Sequence, residues 1–513
     1  MKLHRITLRF ALMALMFIVA LAPAFSQTSG DYRSKAAGPA SWGTVATWET
    51  YNGSAWVAAS VVPAATNPVT IQAGHAVTLD ATGMLCKSLI VDGTLTYGSV
   101  AAGLTVSGDI TVSSTGSFTA GASALITHTL SLTGSLTANG TFDMNTTAGV
   151  TMTFTGATNN TISGTSGTID FYAITVSKGT AITNILEVTS AITMSAPSGT
   201  GTRLTLTNGT FKLSSASALT PYYGSQPICA ATGRLWINNS SASVQCVGTG
   251  TNVGAGSPTV TGTLQVDAGA FAYGCGNNAL QVDGTLIIGG ASASVTIYGR
   301  VLMNTASIFT MTAGNFIVDP QAASALASTS HIFQFSSTSA SAVNFTGGTL
   351  TITDPHSAAS TGYALYLSAA TGTYNFVGST IQFGDGVSTT AGSTDGFDIF
   401  TGSVYPIGNV LVNNTATNAS TRFVKLLGSI IIGGNLTINN AGGSEFQLVG
   451  STLTLKGNLN NNGVFNSTTA PSLLTMAGTS PQNINGSGTE VWTTGTAGRL
   501  LNLTINNATG VSL

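Results

Sequence analysis

Charge is what this chain has least of: Asp, Glu, Lys and Arg make up 6% of its 513 residues, against about a quarter in an ordinary soluble domain, and the net charge is −2. With no basic stripe to neutralise phosphates, a nucleic-acid binder is excluded. Cysteine is also scarce. Four residues (Cys86, Cys229, Cys246 and Cys275) are too few for the disulfide framework of small secreted domains that lack a core. Cys229 and Cys246 are the candidate disulfide, and the alternative is four small buried hydrophobes. No C-x-x-C pair with nearby histidine points to a metal centre. After residue 26 no apolar run approaches the ~20 residues of a membrane-spanning helix.

What fills the chain instead is Gly (62 residues), Ser, Thr, Ala and Asn, from end to end and without a compositional boundary. Such a composition suits disorder, but 43% apolar residues leave enough surface to bury a core. The first 26 residues differ. Lys2, Arg5 and Arg9 precede an apolar run over 11–21, and Ala24-Phe25-Ser26 supplies small residues at a cleavage point, so 1–26 is expected to be a signal peptide and the protein secreted.

One seven-residue phrase recurs, as G-N-V-L-V-N-N from Gly408, G-N-L-T-I-N-N from Gly434 and G-N-L-N-N-N-G from Gly457. Its spacing of 26 and 23 residues is the signature of stacked supersecondary units. A second phrase, L-x-V/L-x-G-x-L/I, starts at Leu89, Leu104, Leu130, Leu280 and Leu453 and, with Ile in place of Leu, at Ile430. Its apolar positions alternate as in strands, and its Gly suits a sharp bend. A step near 25 residues fits one coil of a parallel β-helix better than a propeller blade of about 40 to 45. The fold class expected is therefore all-β, a parallel β-helix solenoid, right-handed by the general bias of parallel connections. Some ~20 coils at about 4.8 Å each would give a rod on the order of 100 Å long. The 15 residues between Gly93 and Gly108 are short for a full coil and leave the register there open. The L-T-I-N-N copy at Leu503, 67 residues after Leu436, reads as three further steps. The N-N dipeptides that follow strands are expected to take the left-handed conformation at corners and to stack as ladders.

Residues 27–80 stand apart, with Trp42, Trp48 and Trp56 among the breakers Pro39, Pro63 and Pro68. A first coil has no neighbour beneath it, so this segment is expected to hold an aromatic N-terminal cap and the first coil, followed by repeats over 81–513. An aromatic platform for sugar is the alternative use of these tryptophans.

The segment Y-R-S to G-S-A-W around Trp42, Trp48 and Trp56, followed by V-T-I-Q-A-G-H-A-V-T-L, resembles the opening of large secreted β-helix repeat proteins of Bacteroidota-type bacteria. The phrases M-T-F-T-G-A-T-N-N-T-I-S-G-T from Met152 and L-T-M-A-G-T-S-P-Q-N-I-N-G-S-G-T from Leu474 resemble their repeat units. The resemblance implies an adhesin-like cell-surface protein that meets surface polysaccharide or other cells, with a C-terminal domain sorted by the type IX secretion system. This sequence departs from that pattern by ending at Leu513 in mid-phrase, so truncation is expected.

Catalysis on such a scaffold needs paired carboxylates, or a metal-assisted base. The acids here are scattered. Asp92, Asp267 and Asp283 sit at or near turn positions, and the densest group runs from Asp385 to Asp398. Within it Asp385, Asp395 and Asp398 are weak calcium candidates, without the spacing of an EF-hand. His75, His128, His331 and His356 stand apart from one another and from any recognisable nucleophile. The expectation is a protein without catalytic residues or cofactor. A carbohydrate-active enzyme, a sugar-binding module or an ice-binding face built on T-x-T pairs are the alternatives. Any site should lie where the phrases break down, at 221–246 or 385–398.

Overall fold

The computed structural model describes residues 27–35, 38–123, 126–165, 167, 169–197, 201–224, 226–246, 257–304, 306–320, 330–335, 341–355, 362–367, 372–386, 396–401, 405–414, 423–440, 444–469, 472–487 and 502–513. The signal peptide expected at 1–26 lies outside them. Among the described residues there is no α-helix, and a single 3-10 turn spans Val45–Thr47. Everything else that is regular is strand, stacked as a parallel β-helix.

One coil illustrates the rest. Met84–Cys86, Ser88–Val91 and Thr94–Tyr97 form three walls, and in the next coil Gly103–Val106, Ile110–Val112 and Ser117–Thr119 lie on them in parallel register. Side chains alternate in and out, so each strand contributes two inward residues at most corners. On the second wall Val69, Leu89, Ile110, Leu136, Ile162, Val188, Leu213, Ile237, Val266, Ile288, Met311 and Phe345 stand one above another, all buried. Each such side chain is worth about 1.5 to 3 kcal/mol of burial. On the third wall the rings of Tyr97, Phe118, Phe142 and Phe171 stack at centroid distances of 5.9, 5.8 and 5.5 Å.

The opening phrase repeat does measure the coil. Val410, Leu436, Leu459 and Ile484 are stacked partners on the third wall. The second phrase, however, marks two different bends. Gly93, Gly434 and Gly457 lie between the second and third walls, whereas Gly108, Gly134 and Gly284 lie between the first and second. This settles the 15-residue gap: Gly93 and Gly108 belong to different corners and were never one coil apart. The copy at Leu503 is also on another wall. Leu503–Ile505 pairs with Leu473–Met476, while Leu436–Ile438 pairs with Leu459–Asn461, so the interval from Leu436 to Leu503 counts no whole number of coils.

The cap departs from the parallel rule. Tyr32–Ser34 pairs in parallel with Pro68–Ile71 but antiparallel with Trp48–Tyr51, which pairs antiparallel with Trp56–Ala58. Trp42 and Trp48 are buried edge to face at 4.9 Å, and the Trp48 Nε1–H donates to the carbonyl of Trp42 at 2.9 Å. Trp56 stays half-buried, with the Arg33 guanidinium 4.3 Å above its ring.

Asparagine serves differently from the expectation. Ala306 is the one non-glycine residue with positive φ among the described residues, so the N-N dipeptides do not turn corners in the left-handed region. Asparagine acts instead through its side chain, chiefly at the position that follows the phrase's Gly. Asn409 Oδ1 accepts the backbone N–H of Asn435 at 2.9 Å, Asn435 Oδ1 that of Asn458 at 2.7 Å, and Asn458 Oδ1 that of Asn483 at 2.9 Å. A second rung joins Asn439 Nδ2 to Asn413 Oδ1 at 3.2 Å.

Candidate functional site

Outward polar side chains mostly bind the coil above or below. Asp109 Oδ1 accepts from Ser135 N, Asn159 Oδ1 from Ile185 N, and the hydroxyls of Thr133 and Thr155 meet at 2.9 Å. The turn acids do the same. Asp92 accepts from the Ser113 hydroxyl, Asp283 from Asn304 Nδ2, and Asp267 from both Trp236 Nε1 and Gln265 Nε2.

The exception lies where the third wall ends. Asn315–Asp319, Thr349–Ile352 and Thr380–Phe383 are stacked strands, and just at or beyond their ends come Asp319, Asp354 and Asp385. Asp354 is 6% exposed. Burial pushes its carboxyl up to about 7, helped by the charge of Asp319, a hydrogen bond with that carboxyl and the charge of Asp385, while the Thr353 hydroxyl pulls the other way. Below neutrality Asp354 therefore holds a proton in its hydrogen bond to Asp319. Sequence reading had singled out Asp385 alone of the three. Asp319 and Asp354 are 35 residues apart and carry no motif; only the alignment of coils unites them.

Two carboxyls in direct hydrogen bond stand closer than the roughly 5 to 9.5 Å that glycoside hydrolysis requires between its acid and its nucleophile or base. A carboxyl this deeply buried also offers little reach to a polysaccharide. The pair fits a proton-sharing contact between coils.

Of the other calcium candidates, one is described. Asp398, on the first-wall strand Phe397–Thr401, lies 3.8 Å from Lys425 in the next coil. Asp395 lies outside the described residues, as does His356. Among the described residues no group of three His, Cys, Asp or Glu is placed to hold a metal ion.

Near Asp398 the rings of His331, Tyr363, Tyr366 and Phe400 form a half-buried stack, with His331 and Tyr366 4.0 Å apart and Tyr366 and Phe400 5.3 Å apart. Their faces cover one another, so the stack presents edges where a sugar would need a face. His128 is wholly buried against Tyr97 at 4.6 Å, and desolvation lowers its pKa, which keeps it neutral. His75 does meet a serine, which the sequence did not suggest: Ser34 Oγ lies 2.8 Å from His75 Nδ1. Ser34 is fully buried and accepts the backbone N–H of Gln72, so it ties cap to coil and reaches no substrate.

In the stretch 221–246 the cysteines face the core. Cys229 and Cys246 are buried, and the structure does not join them by a disulfide. Burial pushes the Cys229 thiol up to about 12. Tyr222 and Tyr273 lie beside them in the core with ring centroids 6.0 Å apart. The chain matches no protein-family model, no curated protein and no solved structure.

Proposed function

We propose that the chain is a secreted, cell-surface β-helix rod with a structural or adhesin-like role and without catalytic activity. The observation that carries this reading is where the polar groups are spent. Among the described residues, outward side chains such as Asp109, Asn139, Asn159, Asn409, Asn435 and Asn458 accept backbone N–H groups of the neighbouring coil. What remains facing solvent is a nearly uncharged Thr, Ser and Asn surface, suited to weak repetitive contact with polysaccharide or another cell. The resemblance of the N-terminal segment to secreted Bacteroidota repeat proteins supports the same reading.

Beads coated with the purified chain should retain bacterial cells or surface polysaccharide, and the chain should release no reducing ends or unsaturated sugars from a polysaccharide panel. Product formation that disappears in Asp354→Asn would replace this reading with the carbohydrate-active alternative.

An ice-binding face is the second reading, supported by one array. Thr105, Ser131, Thr153, Thr175 and Thr205 occupy one outward column of the first wall, with Thr129 and Thr151 in the column beside it. Inhibition of ice recrystallisation that Thr153→Tyr abolishes would favour it; no inhibition by the parent chain disposes of it.

A further inference from the structure

Lys178 is the one lysine of the described chain that faces the core. It follows the strand Ala173–Ser177, is 0% exposed, and is packed tightly enough that a Cβ on Gly209, one coil away, would come within 2.8 Å of its own Cβ. The ion pairs of the described residues are Arg33–Glu49, Lys212–Glu187 and Lys425–Asp398, so no carboxylate neutralises it. Instead Nζ donates to the Thr155 carbonyl at 3.3 Å and to Oδ1 of Asn160. Asn160 is itself buried, 8% exposed, at an inward position of the preceding coil, where the wall otherwise carries apolar residues. A buried ammonium without a counter-ion is costly to keep. An amine in contact with a buried carboxamide has one way to lose that charge for good.

We propose that Lys178 and Asn160 mature into an intramolecular isopeptide cross-link. The Nζ lone pair attacks Cγ of Asn160, a Cγ–Nζ bond forms and the Cγ–Nδ2 bond breaks. Nδ2 leaves as ammonia, carrying its own two hydrogens and one from Nζ, so that a secondary amide replaces an amine and a primary amide with no oxidant or co-reactant. The contact through Oδ1 places the amine against the carboxamide it would attack, inside a closed core. The Thr155 carbonyl accepts a second N–H of the same amine and anchors it there. Burial brings the Lys178 amine down to about 8, which supplies the neutral form under mildly alkaline conditions. Among the described residues no carboxyl is hydrogen-bonded to either partner to act as a general acid, so the reaction is slow and its extent grows with time and with pH. The product would staple the first wall of one coil to the second wall of the coil beneath, across 18 residues of chain.

The test is the intact mass of the purified full chain, fresh and after prolonged incubation at about pH 9, above the lowered amine pKa. The expected result is a species lighter by one ammonia, accumulating on incubation. Tryptic digestion should give no cleavage after Lys178 in that species, and a branched peptide linking it to the Asn160 segment. Lys178→Met and Asn160→Ala chains should keep their full mass. If either variant misfolds, the parent chain alone decides. Unchanged mass with complete cleavage after Lys178 overturns the proposal, as does deamidation of Asn160, which raises the mass instead of lowering it.

Discussion

Asn435 shows how much one side chain does in a stacked coil. It donates its backbone N–H to Asn409 below and accepts that of Asn458 above. Asn435→Ala would leave the Asn458 amide without its acceptor, at a cost of about 1 to 3 kcal/mol. Hydrogen exchange should locate the loss in coils 409–461, and unchanged protection of Asn458 would refute the ladder's role. Asp354 makes a pH-dependent contribution of opposite sense to most carboxylates. Its folded pKa, about 7, lies above the usual 3.8, so the folded chain holds the proton more tightly. Stability is then greatest below about pH 4 as far as this group is concerned, and falls as pH rises through about 7. Asp354→Asn should remove that slope: its melting midpoint should gain on the parent's as pH climbs, by up to a few kcal/mol in free energy. A gap that narrows instead would mean that no proton is shared. Asn409, Asn435 and Asn458 hold the same place in a repeated phrase, whereas the Asp354 pairing was not readable from sequence, because it depends on which residues the coils bring to the same height.

At the scale of the element, the corner glycines were legible and their reason was not. Gly434 and Gly457 have no positive φ; they are needed because the next coil passes too close for a side chain. A Cβ on Gly457 would lie 2.4 Å from the Gly434 carbonyl, and one on Gly434 would lie 2.3 Å from Asn409 Oδ1. Gly457→Ala must therefore push two coils apart, with an expected loss of about 1 to 3 kcal/mol, the range seen for overpacking. Ala at Gly74 or Gly83, where nothing lies within 4 Å, meets no such obstacle and has only its backbone conformation to strain. Thermal melts of Gly457→Ala beside Gly83→Ala would separate crowding from conformation, and a greater loss at Gly83 would reverse the assignment. The strand phrases were also legible, since alternation of apolar residues survives in almost every copy. The assignment of each copy to a wall was not. The same L-x-V-x-G-x-L serves two corners, because both need an inward residue on each side of a bend and a glycine under the passing chain.

Across the whole molecule, the solenoid architecture could be read from the spacing of phrases alone, while the coils that break the spacing hold the acid cluster. The step is 26 and 23 residues along the asparagine ladder but 31 between Asn344 and Asn375. The walls keep register across that longer step, so the periodicity fades from the sequence without being lost from the fold. A continuous interior should also shield its thiols. Cys86 and Cys229 are fully buried, with burial raising each to about 12, so native chain should react with a thiol reagent only after denaturation. Rapid labelling of either in native protein would mean that the coils open locally.

The ladder hydrogen bonds all run from one coil to the next, along the axis of the stack. A pull applied along that axis would load them coil by coil at the end, as a zipper is loaded, while each wall's side-chain column gives way only with its own coil. Extension by optical tweezers should therefore proceed in steps of one coil, about 8 nm for some 24 released residues at roughly 3.4 Å each. At Lys178 and Asn160 a covalent staple would hold the intervening residues back and shorten the step, so the force trace of an aged molecule would differ from that of a fresh one at a single coil.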